Sequence, residues 1–555
     1  MSNPELTSQW KTLKSLAPSV GDLNALFKKD SSRTSNLLID FEGVCFDYSK
    51  ELINTEIKLQ LIALAEEMNL KGAIDKMVSG HKVNITEDRQ ALHTALRLPE
   101  GSSLIVDGVD IAKKVHKSLA AVNSIVDRLT TGVWRGCSGL AITDVVNIGV
   151  GGSDLGPLMA CTALEEWTGE TGITQRGLKY NSINTHFVSN MDGTQLEKLL
   201  NVLNPATTVF IISSKSFSTS DTLSNANTAL SWLLKECSDL EVVKKNHFIG
   251  ISAVSHKMDE WGICKKNQLE LWDWVGGRFS MWSAIGLTVA LKIGMSNFRE
   301  LLAGAHLMDQ HFINTPFSEN IPVMMGLIGV WNSSFLGIHA HAVLPYDGRL
   351  SHFPSYLTQL EMESNGKSTN LQGHAVTFNT CPILWGEIGS NAQHAFYQLL
   401  HQGTQKVTSD FIAFINRYDE GRQTINEQLS LQHKMSLANC LAQSRVLAFG
   451  NKAVDSHSMG ENDAQNNLHK HYHGNQPSST FLINKLTPKT LGMLIAMYEH
   501  KVYVMASIWD INPFDQWGVE IGKVVAKDLN QAILQGSLKY DDSTNELLKR
   551  ICGLS

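Results

Sequence analysis

The stretch "VVNIGVGGSDLG" (Val145–Gly156) is a short β-branched run that ends in a cluster of glycines. A strand followed by glycines is typical of a turn that receives the phosphate or sugar of a ligand. The stretch lacks the Gly-x-Gly-x-x-Gly spacing of dinucleotide sites, because the sixth position counted from Gly149 is Asp154. It also lacks the lysine that follows the last glycine of a nucleoside-triphosphate loop, since Pro157 stands there. By itself the turn fits either a ligand loop or an ordinary structural turn.

Outward from this stretch, short β-rich runs alternate with helix-like segments, which predicts βαβ units and parallel sheets. A long helical section at about 281–335 separates two such blocks, so we expect two sheets, each flanked by helices. Residues 1 to about 110 are predicted to form helices with polar loops, and Asp455–Ser479 a long loop. The predicted strands are Asp144–Ile148, His186–Ser189, Thr207–Ile212, His247–Ile251, Ala340–Leu344, Pro382–Trp385, Phe411–Ile415 and Thr480–Ile483.

The composition is that of a large globular protein, with 43% apolar and 18% charged residues among 555. This length favours two α/β domains with extensions. A net charge of −7 without any long basic block gives no support to binding of nucleic acid or a membrane surface. The N-terminus has no apolar signal segment, and the longest apolar stretch, Ile321–Trp331, is too short to span a bilayer. Eight scattered cysteines without a Cys-x-x-Cys pair favour reduced thiols, so we expect a cytoplasmic protein.

A second candidate loop, "IISSKSFSTSDT" (Ile211–Thr222), follows a predicted strand and surrounds Lys215 with hydroxyl side chains. In doubly wound folds, ligands bind beyond the carboxyl ends of the strands, where this loop falls. Hydroxyls, a lysine and the backbone N–H groups of a following helix together suit a monophosphate. A Ser/Thr-rich helix cap is the alternative. The density of hydroxyls and the lysine favour phosphate.

Two further segments carry charged candidates. Arg278 follows two glycines in "WVGGRFS", which lets its guanidinium point into a site, although an arginine that holds a loop by an ion pair is the alternative. In "QLEMESNGK", Glu361 and Glu363 are two residues apart, so on a helix they point about 200° apart and do not form a carboxylate pair. Glu363 stands just before a helix-ending Ser-Asn-Gly, where a side chain can enter a cleft, with a surface glutamate as the alternative.

Histidines supply the last candidates. His394 lies in the first turn after "GSN", with Asn391 near the predicted helix cap, and a histidine there can act as acid or base or simply bond to a neighbour. The run His469, His471 and His473 has no cysteine or carboxylate cluster at ligand spacing, so we assign it to a solvated loop rather than to a metal site.

In this order, the segments closely resemble the phosphoglucose isomerase family, over roughly residues 35–530. The similarity also includes "DRQALHTALR" (Asp88–Arg97) near the N-terminus. The Arg278 and Lys523 segments are the most specific, because each holds a long string of family-typical residues. The matching segments are GVGGSDLG, SKSFSTSDT, WVGGRFS, MESNGK, GSNAQHAFYQLLHQGT and FDQWGVEIGK.

The resemblance implies an α/β fold with two sugar isomerase (SIS) domains, each a mainly parallel sheet between helices in an α/β/α sandwich. It implies a helical N-terminal extension at 1–120, a smaller SIS domain at 121–290, a larger one at 291–515 and a C-terminal helical arm at 516–555. It further implies a homodimer without metal or organic cofactor that interconverts glucose 6-phosphate and fructose 6-phosphate through a cis-enediol.

The resemblance also implies residue roles. Glu363 matches the base, His394 and Lys523 match the ring-opening groups, and Arg278 matches the cation near the enediolate. In the family the matching histidine reaches the site from the other subunit, so each active site would need the dimer. The implied substrate-binding residues are Gly152, Ser153, Ser214, Lys215, Ser216, Phe217, Ser218, Thr219, Gln359 and Gln516.

Four positions depart from the family pattern. Ser216 and Ser218 stand where threonine is usual and keep the hydroxyls, Asp221 replaces a glutamate, and Gln476 replaces an arginine. The last change removes a charge and puts the stability of its loop in question.

Two rival functions remain beside the isomerase. One is a regulator on the same domains that binds a sugar phosphate without turnover, and the other is an isomerase of a related sugar such as mannose 6-phosphate. The four proposed catalytic residues, which a regulator does not need together, favour the enzyme.

Overall fold

The computed structural model divides the chain into two compact units, Met1–Pro513 and Phe514–Ser555. The first unit contains two large sheets and most of the helices. The second contains a short 3₁₀ turn, Trp517–Val519, and the helices α19 (Glu520–Gln535) and α20 (Asp542–Cys552). The residues that the structure describes are 3–167, 181–417, 427–454 and 468–553.

The first sheet has five parallel strands in the order β6-β5-β7-β8-β9. Every residue of β7 and β8 is buried, as expected for β-branched and aromatic strands that are covered on both faces by helices. The strands are β5 (Asp144–Gly149), β6 (Asn184–Val188), β7 (Thr208–Ser213), β8 (Phe248–Ser252) and β9 (Gln268–Glu270). The helices within this block are α7 (Leu155–Ala163), α8 (Thr194–Leu200), α9 (Ser220–Leu233), α10 (Leu240–His247) and α11 (Ser255–Trp261).

The second sheet has six strands in the order β1-β2-β13-β12-β10-β11. Its four later strands are parallel to one another, and β1 and β2 add an antiparallel edge. The strands are β1 (Leu38–Phe41), β2 (Val44–Lys50), β10 (Ala340–Pro345), β11 (Ile383–Gly386), β12 (Thr408–Asn416) and β13 (Ser478–Lys485). The helices α14 to α18 of this part of the chain are Phe353–Thr358, Gly389–Ala395, Tyr397–Gln402, Glu427–Phe449 and Pro488–Trp509.

The antiparallel edge corrects the prediction that residues 1 to about 110 are helices and loops. Glu42 and Gly43 join β1 to β2 with φ values of 49° and 80°. Two central residues with positive φ form the tight turn that suits the twist of a two-residue hairpin. Helices α1 to α6 occupy the rest of this region, with a small hairpin of β3 (Ile105–Val106) and β4 (Val109–Asp110) before α6. These helices are Ser8–Leu16, Leu23–Lys29, Arg33–Asn36, Thr55–Glu67, Leu70–Val78 and Ile111–Thr130.

The helical section between the sheets consists of α12 (Leu287–Asn314) and α13 (Ile321–Val330), and both pack against α18. Glycines allow a close approach of α12 and α18: a Cβ on Gly304 would lie 1.8 Å from the Lys489 carbonyl oxygen, and one on Gly492 would lie 2.0 Å from that of Leu301. Larger side chains would push these helices apart, so the two glycines fix how closely the helices pack.

The predicted alternation is confirmed, because each of the eight predicted strands overlaps an observed one. For the predicted loop Asp455–Ser479, residues 455–467 lie outside the described residues, Leu468–Lys470 form a 3₁₀ turn, and Ser478 begins β13. The loop prediction was therefore wrong for its last two residues. The domain boundaries at 120, 290 and 515 stay predictions.

Candidate active site

Two of the predicted ligand loops begin side by side at the carboxyl edge of the first sheet. Strands β5 and β7 are parallel neighbours, and Gly149 is paired with Ser213 at their ends. The side chain of Asn147, 1% exposed, connects the two loops. Its Nδ2 donates to the Ser153 carbonyl oxygen at 2.9 Å, and its Oδ1 accepts from Ser213 Oγ at 2.8 Å. The sequence reasoning did not single out Asn147, although its place inside an apolar strand was a signal.

The hydroxyl-rich loop turns sharply before helix α9. Phe217 is buried and has a φ of 46°, so the loop folds back at this residue. Ser214 Oγ and Thr219 Oγ1 lie 3.2 Å apart, and Ser218 Oγ donates to Ser216 Oγ at 2.9 Å. Thr219 is the N-terminal cap residue of α9, so the first-turn N–H groups, which lack partners within the helix, meet a cluster of hydroxyls at one helix end, where an anion is favoured.

The ammonium of Lys215 is directed at main-chain carbonyls rather than at the hydroxyl cluster. Lys215 Nζ donates to the carbonyl oxygens of Asp273 at 2.7 Å and Val275 at 2.8 Å. Burial, with the charge of Arg89 nearby, lowers the pKa of Lys215 to about 8. Lys215 thus ties the hydroxyl-rich loop to the segment that precedes Arg278.

The glycine loop after β5 contacts two further segments, the one before Arg278 and the one that contains Gln359. A Cβ on Gly152 would lie 2.0 Å from the Gly277 carbonyl oxygen, so only glycine fits this contact. A Cβ on Gly151 would lie 2.9 Å from Gln359 Nε2. The loop after β5 therefore packs on the backbone beside Arg278 and on the side chain of Gln359.

Glu363, Arg278 and Gln359 form one hydrogen-bonded group. Glu363 Oε2 accepts from Arg278 Nη1 at 3.1 Å and from Gln359 Nε2 at 3.2 Å. The side chain of Glu363 is 24% exposed, whereas that of Arg278 is 1% exposed. The arrangement presents a half-buried carboxylate beside a fixed positive charge.

Two further groups hold Arg278 besides the Glu363 carboxylate. Its Nε donates to Ser364 Oγ at 2.6 Å, and its Nη2 donates to the Pro513 carbonyl oxygen. Because all these partners are buried or half-buried, the guanidinium is fixed in position before any ligand arrives. The contact of Arg278 with Ser364 was not anticipated from the sequence.

Gln359 carries an unused acceptor in this group. Its Nε2 is bonded to Glu363, but its buried Oε1 has no hydrogen-bond partner among the residues that the structure describes. A buried carbonyl oxygen without a donor is costly, so a hydroxyl of a bound ligand would be a favourable partner.

Glu361 and Glu363 belong to one π-helical turn, Gln359–Glu363, that continues helix α14. They have different partners and do not form a carboxylate pair, as predicted, but neither faces open solvent. Glu361 is 1% exposed and its Oε2 lies 2.7 Å from Lys501 Nζ, whereas Glu363 is reached by Arg278 and Gln359. Single π turns inside helices occur frequently at functional sites.

His394 stands apart from this group. It lies in α15, which begins at Gly389 with Ile388 as cap, so Asn391 is near the cap as the third residue of the helix, and His394 is its sixth residue. His394 is exposed and makes no hydrogen bond or ion pair with any other residue that the structure describes.

Lys523 and Gln516 belong to the second unit. Lys523 is exposed in α19 and forms an ion pair with Glu520 at 2.7 Å, and Gln516 is the residue before the turn Trp517–Val519. The structure thus brings together Gly152, Ser153, Arg278, Gln359 and Glu363 with the hydroxyl-rich loop, but not His394.

The remaining sequence candidates have local roles. Gln402 Nε2 donates to the carbonyl oxygens of His469 and His471, and no group of three or more potential metal ligands occurs within the described ranges. Gln476, which replaces an expected arginine, is buried and its Oε1 accepts from the Val407 N–H at 3.1 Å. Of the helices in the described part of the chain, none combines the length and apolarity needed to cross a membrane.

Comparison with known proteins tests the predicted resemblance. A family model described as phosphoglucose isomerase matches residues 47–548. The glucose-6-phosphate isomerase of Psychrobacter cryohalolentis is 58% identical over 98% of this chain and 97% of its own. That of Acinetobacter baumannii is 51% identical over 99% and 98%. A crystal structure of a glucose-6-phosphate isomerase from Chlamydia trachomatis covers 100% of both chains, with a TM-score of 0.85 at 28% identity.

Proposed function

The chain belongs to the phosphoglucose isomerase family, and from this premise we propose how its residues carry out that family's reaction. The relatives that match the whole chain are named glucose-6-phosphate isomerases. The enzyme accordingly interconverts glucose 6-phosphate and fructose 6-phosphate. The reading as a non-catalytic regulator is not supported by these relatives. The fold prediction of two SIS-type sheets agrees with the solved relative.

Glu363 is the base that moves a proton between C1 and C2. Isomerisation removes a proton next to the carbonyl carbon, forms a cis-enediol, and returns a proton to the neighbouring carbon. One carboxylate on one face of the substrate can do both. The observation that carries this assignment is the half-buried Glu363 carboxylate, which Arg278 and Gln359 hold in a fixed position.

Arg278 stabilises the negative charge that develops on the enediolate oxygens. Its guanidinium lies 3.1 Å from the base and is buried and held by two other groups, Ser364 Oγ and the Pro513 carbonyl oxygen, so it needs little reorganisation during the reaction. Gln359 Oε1 accepts a hydrogen bond from a hydroxyl of the sugar chain. This bond orients the reacting carbons.

The hydroxyl-rich loop binds the phosphate, which is remote from the reacting carbons and fixes the substrate in place. Ser214, Ser216, Ser218 and Thr219 supply hydroxyls, and the N-terminus of α9 supplies N–H groups. Gly152 and Ser153 contact the sugar chain from the adjacent loop. Lys215 contributes charge and holds this loop to the Arg278 segment through its two carbonyl contacts.

From the family resemblance, we propose that His394 and Lys523 open the sugar ring and that Gln516 contacts the substrate. Ring opening needs a proton removed from one oxygen and another supplied to the ring oxygen, which suits an imidazole and an ammonium. We propose that His394 acts in the site of a second copy of the chain, in a homodimer. Support comes from the family resemblance and from the isolation of His394 from the Glu363 group.

The C-terminal arm at 516–555 is the second feature that supports a homodimer. Trp517, Ile521 and Val524 recur at helical spacing and are 59%, 77% and 71% exposed in the single chain. Exposed apolar side chains at this spacing are typical of a helix face that another chain covers. The domain division at 120, 290 and 515 belongs to the same proposal, as does a cytoplasmic location, which the eight free cysteines favour.

Glu363→Gln tests the assignment of the base. We expect kcat to fall roughly 100- to 10,000-fold while KM for fructose 6-phosphate changes little, because the amide keeps the shape of the side chain but cannot accept a proton. The matched control is Glu319→Gln, the same change at an exposed site, which should leave both constants unchanged. Near-normal kcat in Glu363→Gln would show that another group moves the proton.

A further inference from the structure

The other glutamate of the π turn, Glu361, is buried and faces away from the partners of the base Glu363. Glu361 Oε2 lies 2.7 Å from Lys501 Nζ, and both side chains are almost fully buried, at 1% and 3% exposure. Lys501 belongs to helix α18, which packs against α12 and α13 in the core of the first unit. A buried ion pair therefore connects the turn that carries Glu363 to a rigid helix.

The ammonium of Lys501 also contacts a row of buried polar groups that extends away from Glu361. Its Nζ lies 3.3 Å from His341 Nδ1, and His341 Nε2 lies 3.0 Å from Asp410 Oδ2. The same Asp410 oxygen accepts from Tyr498 OH at 2.8 Å. Because His341 and Asp410 lie on the central strands β10 and β12, the sheet as well as the helix holds Lys501 in place.

The π turn is fixed on its other sides as well. Asn365 Nδ2 donates to the Val502 carbonyl oxygen at 3.1 Å, and Lys367 Nζ donates to the carbonyl oxygen of Glu363 at 2.7 Å. Within the turn, Glu361 forms an almost fully buried ion pair with helix α18, in addition to the ion pair of the half-buried Glu363 with Arg278. Residues two apart on such a turn point in different directions. The Glu361–Lys501 ion pair therefore fixes the orientation of the turn in which Glu363 reaches Arg278.

A small cavity lies beside the ion pair. It has a volume of about 20 Å³, and its lining includes Glu361, Lys501, Asn332 and Glu51. Glu361 Oε1 and Asn332 Oδ1 are buried without a hydrogen-bond partner in the described part of the chain. A cavity of this size has room for about one water molecule, which would satisfy both oxygens.

We propose that the buried Glu361–Lys501 ion pair is a positioning device that holds the Glu363 carboxylate in register with the reacting carbons. This inference rests on the proposed function of Glu363 as the base. Glu361 does not touch the substrate and acts only through the turn. A displacement of the base by even 1 Å is enough to slow proton transfer.

Glu361→Gln tests the proposal, because the amide has nearly the same shape but removes the charge that attracts Lys501. We expect kcat to fall about 10- to 100-fold with KM for fructose 6-phosphate within about twofold of wild type. In deuterated water, we expect a larger fraction of the glucose 6-phosphate to carry deuterium at C2. A displaced carboxyl group exchanges its proton with solvent before returning it, whereas a merely destabilised enzyme keeps the wild-type fraction.

Tyr503→Phe is the matched control. Tyr503 is buried on the same helix two residues after Lys501, and its hydroxyl donates to the Ala73 carbonyl oxygen, away from the π turn. We expect this variant to keep the wild-type kcat and deuterium fraction. Binding of 6-phosphogluconate, which has the phosphate and hydroxyl chain but a carboxylate in place of the aldehyde or ketone, checks by calorimetry that each variant retains a folded site.

The double variant Glu361→Gln/Lys501→Met removes both charges and serves if the single change prevents folding. We expect it to fold and still to show the loss of kcat. Wild-type kcat and deuterium fraction in either Glu361 variant would overturn the positioning role. Full turnover in Glu363→Gln would instead overturn the proposed function itself, so the two failures are distinguishable.

Discussion

At the scale of single residues, Glu51 shows how burial changes the chemistry of a carboxyl group. Glu51 is 1% exposed, and its two oxygens accept from Ser479 Oγ and Asn332 Nδ2, each at 3.0 Å. Burial nevertheless raises the pKa of Glu51 to about 7. In the unfolded chain the group ionises near pH 4.5, so between these pH values only the folded protein holds the proton.

Glu51→Gln is therefore predicted to stabilise the enzyme at alkaline pH. The unfolding free energy of the wild type falls as pH rises from 4.5 to 7, by about 3 kcal/mol, because folding then keeps a proton that the unfolded chain releases. The variant lacks this penalty, so its advantage should be largest near pH 8 and absent near pH 4.5. Urea unfolding at both pH values and one protein concentration measures this.

The control for this prediction is the same change at the exposed Glu319, which should not alter the difference between the two pH values. An equal unfolding free energy for Glu51→Gln and wild type at pH 8 would mean that the carboxyl group is ionised at little cost in the folded protein.

Residue roles could be anticipated from the sequence only so far. The order of motifs pointed to Glu363, Arg278 and Gln359, which do form one hydrogen-bonded group. The bonds of Lys215 could not be anticipated, because its partners are carbonyl oxygens about 60 residues away whose position depends on the fold. Local sequence reports residue type and spacing, whereas the direction of a long side chain is decided by tertiary contacts.

At the scale of elements, the site depends on the alignment of two strand ends. Asn147 bonds both the loop after β5 and the end of β7, at 2.9 and 2.8 Å. Parallel strands place their carboxyl ends at one edge, but the relative position of the two loops within that edge is set by such side chains.

Asn147→Ala is predicted to raise KM for fructose 6-phosphate several-fold, because the glycine loop and the hydroxyl-rich loop lose their shared partner. The control is Asn267→Ala, which removes a fully buried asparagine that bonds the carbonyl oxygens of Lys245 and Phe248 in the same sheet region. Both changes should lower the unfolding free energy by about 1–3 kcal/mol. If KM rises equally in both variants, general destabilisation rather than loop alignment is responsible.

The strand pattern was the most predictable part of the fold. Strands buried on both faces, such as β7, appear as continuous apolar runs, and all eight predicted strands are present. The hairpin of β1 and β2 was missed because its sequence is mixed in polarity and lies among helices. The Glu42-Gly43 turn was the available signal for this hairpin. The pairing of β2 with β13 is a long-range contact that no local sequence pattern reports.

At the scale of the whole molecule, the proposed homodimer makes a prediction about mixed subunits. If His394 serves the site of the partner subunit, then Glu363→Gln and His394→Ala homodimers are each nearly inactive. A heterodimer of the two contains one site with both groups intact. Unfolding and refolding the two variants as an equal mixture should therefore restore roughly a quarter of wild-type activity.

Refolding each variant alone is the control for this experiment and should restore nothing. Mixed subunits that stay inactive, although heterodimers are detected by mass spectrometry, would show that Glu363 and His394 act within one chain. The exposed apolar side chains of the C-terminal arm at 516–555 would then need another explanation.

The most direct test of the central claim is fructose 6-phosphate turnover in deuterated water, followed by proton NMR for wild type and Glu363→Gln. The account predicts that wild type forms glucose 6-phosphate with deuterium partly incorporated at C2. Partial incorporation is expected from a single shielded carboxyl group that carries the proton. The variant should form product and incorporate deuterium at least about 100-fold more slowly than wild type, while 6-phosphogluconate still binds. Deuterium incorporation by Glu363→Gln at the wild-type rate would contradict the claim that this carboxylate moves the proton.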